Sequence, residues 1–89
     1  MKNESLETIL KELGLTDNEA RVYLTCLSLG PTSILAIARA SGIRRTTVYS
    51  VIEALKKKGF VHIEPKGFKQ QYVAEHPDKL VSILDEHKR

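Results

Sequence analysis

Ser33 to Gly59 reads SILAIARASGIRRTTVYSVIEALKKKG, and its reading decides the rest of the chain. Ser33 is a helix cap, and a short helix runs from there to about Ala40. Ser41-Gly42-Ile43 follows as a tight turn, with Gly42 free to take positive φ and Ile43 directed inward. A second helix then begins at two arginines, Arg44 and Arg45, and closes on Lys56, Lys57 and Lys58 before Gly59. Two helices joined by so short a turn are a helix-turn-helix.

Periodicity separates the faces of the second helix. With Val48 at the centre, Val51, Ile52 and Leu55 fall within about 60° of it at 3.6 residues per turn. Thr46, Ser50, Glu53 and Lys57 fall opposite, Thr47 and Ala54 flank, and Arg45 and Tyr49 sit between the faces. The outward face thus opens with cations and hydroxyls, which suit phosphates and base edges, and it carries no large aliphatic residue.

The segments around it read as packing and reach. Leu6, Ile9, Leu10 and Leu13 make one apolar helical stripe, and Gly14 ends it. Thr16 and Glu19 have capping-box spacing at the start of the next helix, with Leu15 and Ala20 as the accompanying staple. Ala20, Tyr23, Leu24 and Leu27, widened by Val22, Cys26 and Leu29, form a stripe broad enough to be buried on more than one side. Gly30-Pro31 stops that helix. After Gly59, residues 60–64 and 70–74 read as two strands joined by a turn at Glu64-Pro65-Lys66-Gly67, a wing whose tip carries Lys66, Phe68 and Lys69. Phe68 is expected to be partly packed and not inserted between bases. A last helix over 77–88 starts at His76-Pro77-Asp78, with Leu80, Val81, Ile83 and Leu84 as its apolar face. The fold expected is mainly α with a small β wing: about five helices and a two-stranded hairpin, in one domain over 1–89. The second helix of the motif spans about 44–58 and the wing about 60–74.

Charge is unevenly placed. Between Arg39 and Lys69 eight basic residues face two acidic ones, a local +6 in a chain whose net charge is +3. One end of the molecule is therefore expected to face a polyanion. No apolar run approaches the length of a membrane span and no signal-peptide pattern stands at Met1, so a cytoplasmic protein without membrane contact is expected. Cys26 is the only cysteine and excludes an intrachain disulfide; among its leucine neighbours it reads as a small buried hydrophobe. His62, His76 and His87 lack metal-ligand spacing, and no phosphate loop or nucleophile elbow is present. No enzyme, metal or cofactor is expected.

In Leu13-Gly14-Leu15-Thr16, Glu19-Ala20, Val22-Tyr23, Leu29-Gly30-Pro31, Ser41-Gly42-Ile43, Val48-Tyr49, Leu55 and Lys58-Gly59-Phe60-Val61, the chain resembles the TrmB-like transcriptional regulators, mostly archaeal. The resemblance runs from about Leu10 to Leu84. It implies a winged helix-turn-helix that binds DNA sequence-specifically and controls transcription, usually as a dimer. Carried over by residue, it places Arg45, Thr46 and Thr47 at the start of the recognition helix, Tyr49 after them, and Lys66 and Lys69 on a basic wing. Larger members append a sugar-binding domain. This chain ends where a coiled-coil linker would begin, so no small-molecule effector site is expected. Ile34 and Leu35 stand where many relatives have small or polar residues, which makes Leu35 a candidate exposed apolar contact.

The expected partner is double-stranded DNA. Arg45, Thr46, Thr47 and Ser50 would face bases and Arg44 and Lys57 phosphates. Tyr49 divides between a phosphate hydrogen bond and rim packing, and Lys66 and Lys69 would lie over flanking backbone or minor groove. A homodimer through the first and last helices would present two recognition helices about 34 Å apart. The competing reading is a winged helix used as a protein-interaction module of a transcription complex, with little DNA binding of its own.

Overall fold

The computed structural model describes residues 2–76 with 78 and 79, and side chains from Leu6 onward. The expected last helix lies outside the described residues apart from Asp78 and Lys79. Four helices precede a hairpin: α1 (Lys2–Glu12), α2 (Asp17–Leu29), α3 (Ile34–Ser41), α4 (Arg45–Lys58), β1 (Val61–Lys66) and β2 (Lys69–Ala74).

α2 is the centre of the molecule, packed against α1, α3, α4 and β2. Its start is fixed by the expected capping box. The Glu19 amide donates to the Thr16 hydroxyl at 3.1 Å, and the Thr16 amide donates to the Glu19 carboxylate at 2.9 Å. Val22, Tyr23 and Cys26 are wholly buried along it. Leu29, expected in the buried stripe, is 44% exposed because it closes the last turn where the chain leaves the core.

Tyr23 meets Phe60 edge to face, with ring centroids 5.9 Å apart and planes at 84°. Its hydroxyl donates to the Glu75 carbonyl. Burial pushes the Tyr23 phenol up to about 12 and the Cys26 thiol up to about 11. The thiol also points at the Tyr72 carbonyl. Leu10, Ile37, Val48, Ile52 and Leu55 complete the core. Ile43 packs against it only partly buried.

The turn between α3 and α4 follows from its residues. Ser33 caps α3 by accepting from the Ala36 amide at 3.1 Å. Gly42 ends the helix in the left-handed region, at φ 76° and ψ 13°, where a β-carbon is strained. The Ser41 hydroxyl accepts from the Ile43 amide at 3.2 Å and steadies the turn.

The wing differs from expectation in where it turns. Lys66 pairs with Lys69, so the loop is Gly67-Phe68 and not Glu64 to Gly67. Gly67 takes φ 62°, which a two-residue hairpin loop needs to match the strand twist. Pro65 lies within β1 opposite Gln70, tolerated because β1 is an edge strand of a two-stranded sheet. Thr32, just ahead of α3, forms a bridge to Tyr72. The Thr32 amide donates to the Tyr72 carbonyl at 3.1 Å and the Tyr72 amide to the Thr32 carbonyl at 2.7 Å. That pairing joins the wing directly to the helix-turn-helix.

Candidate nucleic-acid interface

The outer face of α4 is open. Arg44, Arg45, Thr46, Tyr49, Ser50 and Lys57 are exposed, and Thr47 is half-buried beside them. Val48, Ile52 and Leu55 anchor the opposite side, with Val51 partly buried against the core. Burial of that side sets the helix's rotation, and with it the stripe of Thr46, Ser50, Glu53 and Lys57.

α4 begins unusually. Its N-cap is Arg44, whose side chain makes no capping hydrogen bond. Ser, Thr, Asp or Asn would normally accept there from a first-turn amide. Here the first turn, at the positive end of the helix dipole, has no side-chain cap and opens on two arginines, Arg44 and Arg45. No acid stands in that first turn.

The cations divide by partner. Lys58 donates to Glu19 at 2.9 Å and Lys56 reaches Glu53 at 3.5 Å. Lys58 is thus a structural tie from the end of α4 to the start of α2, and of the three lysines Lys57 alone lacks a carboxylate partner among the described residues. Arg44, Arg45, Lys57, Lys66 and Lys69 have no carboxylate partner among the described residues. Burial raises the Glu19 carboxyl, but hydrogen bonds from Lys58 and the Thr16 amide, with the Lys58 charge, outweigh it and hold the group below the ordinary range.

The wing completes the surface. Arg45 and Tyr49 from α4, Ser33, Ile34 and Leu35 from the start of α3, and Phe68 and Lys69 with Gln70 and Tyr72 from the wing line one open groove of about 510 Å³. Lys66 and Lys69 share an adjoining hollow with Thr32 and Gln71. The structure therefore brings Arg45, Tyr49, Lys66 and Lys69 to one continuous surface, with Arg44, Thr46, Thr47, Ser50 and Lys57 extending it along α4. Leu35 is 44% exposed at the groove's edge and Tyr49 53%. Phe68, expected to be partly packed, stands wholly in solvent because the turn falls two residues later than expected and puts it in the loop. Thr32 and Gln70 were not candidates from sequence. Only the non-local pairing of Thr32 with Tyr72 places them here.

His62, at the root of the wing, lies between two carboxylates. Its Nε2 is 3.0 Å from Glu64 and its Nδ1 2.7 Å from Glu75. The Glu64 hydrogen bond leads in raising its pKa above the usual value; slight burial opposes, and Glu75 adds to the rise. No group of three His, Cys, Asp or Glu among the described residues is placed to hold a metal ion. No helix among them is long and apolar enough to cross a membrane.

A helix-turn-helix whose second helix is exposed along its outer side, flanked by a hairpin bridged to its first helix, defines a winged helix-turn-helix domain. Residues 10–78 match the family described as sugar-specific transcriptional regulator TrmB, and the chain belongs to that family. It is 35% identical over 86 residues to the HTH-type sugar sensing transcriptional regulator TrmBL1 of Pyrococcus furiosus, covering 97% of this chain and 25% of that protein. The solved structure of TrmBL2, described as an archaeal chromatin protein with a novel mode of DNA binding, superposes with a TM-score of 0.84 at 26% identity. That match covers 99% of this chain and 34% of the other. A homodimeric winged helix-turn-helix DNA-binding domain from Mycobacterium bovis superposes with a TM-score of 0.60 at 29% identity, over 94% of this chain and 85% of its own. The chain thus spans about a quarter to a third of the first two relatives' length.

Proposed function

We propose that the chain is a single DNA-binding module over residues 1–89 that reads double-stranded DNA sequence-specifically in the service of transcriptional control. The observation that carries this is the pattern of pairing among its cations. Lys56 and Lys58 are spent on carboxylates, while Arg44, Arg45, Lys57, Lys66 and Lys69 have no carboxylate partner among the described residues, with Arg45, Lys66 and Lys69 lining adjoining grooves and Arg44 and Lys57 exposed on α4. α4 lies in the major groove. Arg45, Thr46, Thr47 and Ser50 face base edges, Arg44 and the uncapped first-turn amides hold a phosphate, and Lys57 and Tyr49 meet backbone farther along. Lys66 and Lys69 contact the flanking backbone.

Two copies bind as a homodimer, a reading supported by the homodimeric relative. In α1, Leu10 is wholly buried and Leu6 partly buried against the module's own core, as is Leu13 just past the helix, which leaves Ile9, 40% exposed, as the helix's most open apolar side chain. The matched part of the sugar-sensing relative is about a quarter of its length, so the proposal concerns DNA contact alone.

The test is binding to random and selected duplexes at rising salt. With Arg44, Lys57, Lys66 and Lys69 on phosphates, log K falls against log salt with a slope of about −3.6 per protomer. Replacing Arg44 and Arg45 together by alanine abolishes selection of a site. Unchanged binding to any duplex at low salt in that double variant would overturn the assignment of α4. A second reading, a protein-interaction module, is favoured by the exposure of Leu29 and Leu35. It predicts negligible duplex binding with no salt slope.

A further inference from the structure

Phe68 is the most exposed large apolar side chain among the described residues, at 108% of its reference area. It stands second in the two-residue loop, after Gly67 at φ 62°. Lys66 and Lys69 close that loop as direct cross-strand partners, so both ammonium groups leave the same face of the ribbon. Neither has a carboxylate partner among the described residues. In water the tip is doubly unfavourable: an aromatic ring in solvent, and two like charges opposed. A narrow polyanionic groove relieves both at once.

The base of the ribbon is held as well. The Thr32–Tyr72 bridge fixes it to the start of α3, and the tip projects four residues beyond Tyr72, roughly 13 Å of strand. Across the groove behind Phe68 stand Arg45 and Tyr49 of α4. A duplex seated on α4 therefore meets the wing tip at its flank.

Resting on the DNA-binding reading above, we propose that Phe68 is an apolar wedge. It enters the minor groove beside the site read by α4 and partly unstacks one base step, while Lys66 and Lys69 hold the phosphates on either side of the ring. The charge pair selects DNA over an apolar protein surface. The ring supplies what the lysines cannot, a preference for steps that open easily, such as pyrimidine–purine steps. Bending follows, because a wedge in the minor groove kinks the duplex toward the major groove. Phe68 then contributes to specificity at base pairs that α4 does not reach.

The experiment uses the full chain and a duplex it has itself selected from a random pool, with 2-aminopurine placed singly at successive positions across the flanks. Bending is followed by energy transfer between dyes on the duplex ends. With the natural chain, fluorescence rises several-fold at one flanking step, and the duplex bends. Phe68→Ala removes both signals and weakens binding by about 3- to 30-fold, stacking gain being offset in part by the cost of unstacking. Phe68→Leu keeps much of the bend, since an aliphatic wedge also fits. Phe68 touches no core residue, so these variants fold.

A natural complex that binds with its full salt slope but shows no fluorescence change at any position overturns the wedge and leaves the DNA-binding reading standing. So does a Phe68→Ala variant with the same bend. Absence of duplex binding by the natural chain overturns both. A change of mass on Phe68→Ala without DNA would assign the ring to a contact between copies and also refute the wedge.

Discussion

Glu19 and Lys58 offer the sharpest test of how α4 is held. The Glu19 carboxylate accepts from the Thr16 amide and from Lys58, each at 2.9 Å, and the residue is only 8% exposed. Glu19→Gln preserves the capping box, since glutamine serves at that position, and removes only the charge. Glu19→Ala removes both. A capping contact is worth about 1 kcal/mol, and a hydrogen bond to a charged group about 1.5–3 kcal/mol. The Lys58 side chain is 39% exposed, so screening reduces its share to about 1 kcal/mol. The expected losses are then about 1 kcal/mol for Glu19→Gln and about 2 kcal/mol for Glu19→Ala, or roughly 4–8 °C of Tm per kcal/mol in a domain this size. Urea unfolding followed by circular dichroism measures them. A double-mutant cycle with Lys58→Met should return a coupling of about 0.5–1 kcal/mol. The pH sign follows from the depressed carboxyl. The coupling is fully present above the unfolded value near 4.5 and is lost as pH falls through the lower folded value. No loss for Glu19→Gln, with no coupling to Lys58, would refute the tie. Lys58→Met should also leave the salt slope of DNA binding unchanged, whereas Lys57→Met should flatten it by about 0.9.

Arg45→Ala should cost about 1–3 kcal/mol on a selected site and relax preference at the bases it meets, while Lys66→Ala should weaken all duplexes alike; competition against random DNA separates the two. His62 should titrate above the usual histidine value by proton NMR, and Glu64→Gln should bring it down. Its stabilising contribution is present below the unfolded pKa near 6.5 and lost as pH rises through the folded one. Cys26, with its thiol pushed up to about 11, should resist thiol reagents at pH 8 in the native protein and react on unfolding. Phe60→Ala should cost about 3–5 kcal/mol and leave the domain largely unfolded at 37 °C, read by thermal melting, because Phe60 fills the junction of α4, β1 and Tyr23.

What was legible in the sequence was whatever is decided within one turn or one helix. The spacing of Val48, Ile52 and Leu55 rotates α4 correctly, and Thr16 with Glu19 marks the start of α2, because both depend on neighbours three or four residues away. The exposure of Arg44, Arg45, Thr46, Tyr49 and Ser50 follows from the same rotation. The wing turn misled because Pro65-Lys66-Gly67 has good turn chemistry of its own. Register was instead decided at the other end of the ribbon, where Val61 and Ala74 are buried opposite each other, and by the glycine that can take positive φ. The tie of Lys58 to Glu19 joins residues 39 apart, and nothing in a run of three lysines says which one has a partner. The Thr32–Tyr72 bridge is made entirely by backbone groups, so no side chain announces it.

That bridge has a consequence for how such a module can change over time. The position of the ribbon against the start of α3 is set by two peptide hydrogen bonds, which any residues except proline can supply. The side chains at the tip and along the outer side of α4 carry none of that task. They are free to be exchanged, singly or together, without loosening the frame that presents them. New surfaces are therefore reachable by steps that each leave the fold intact.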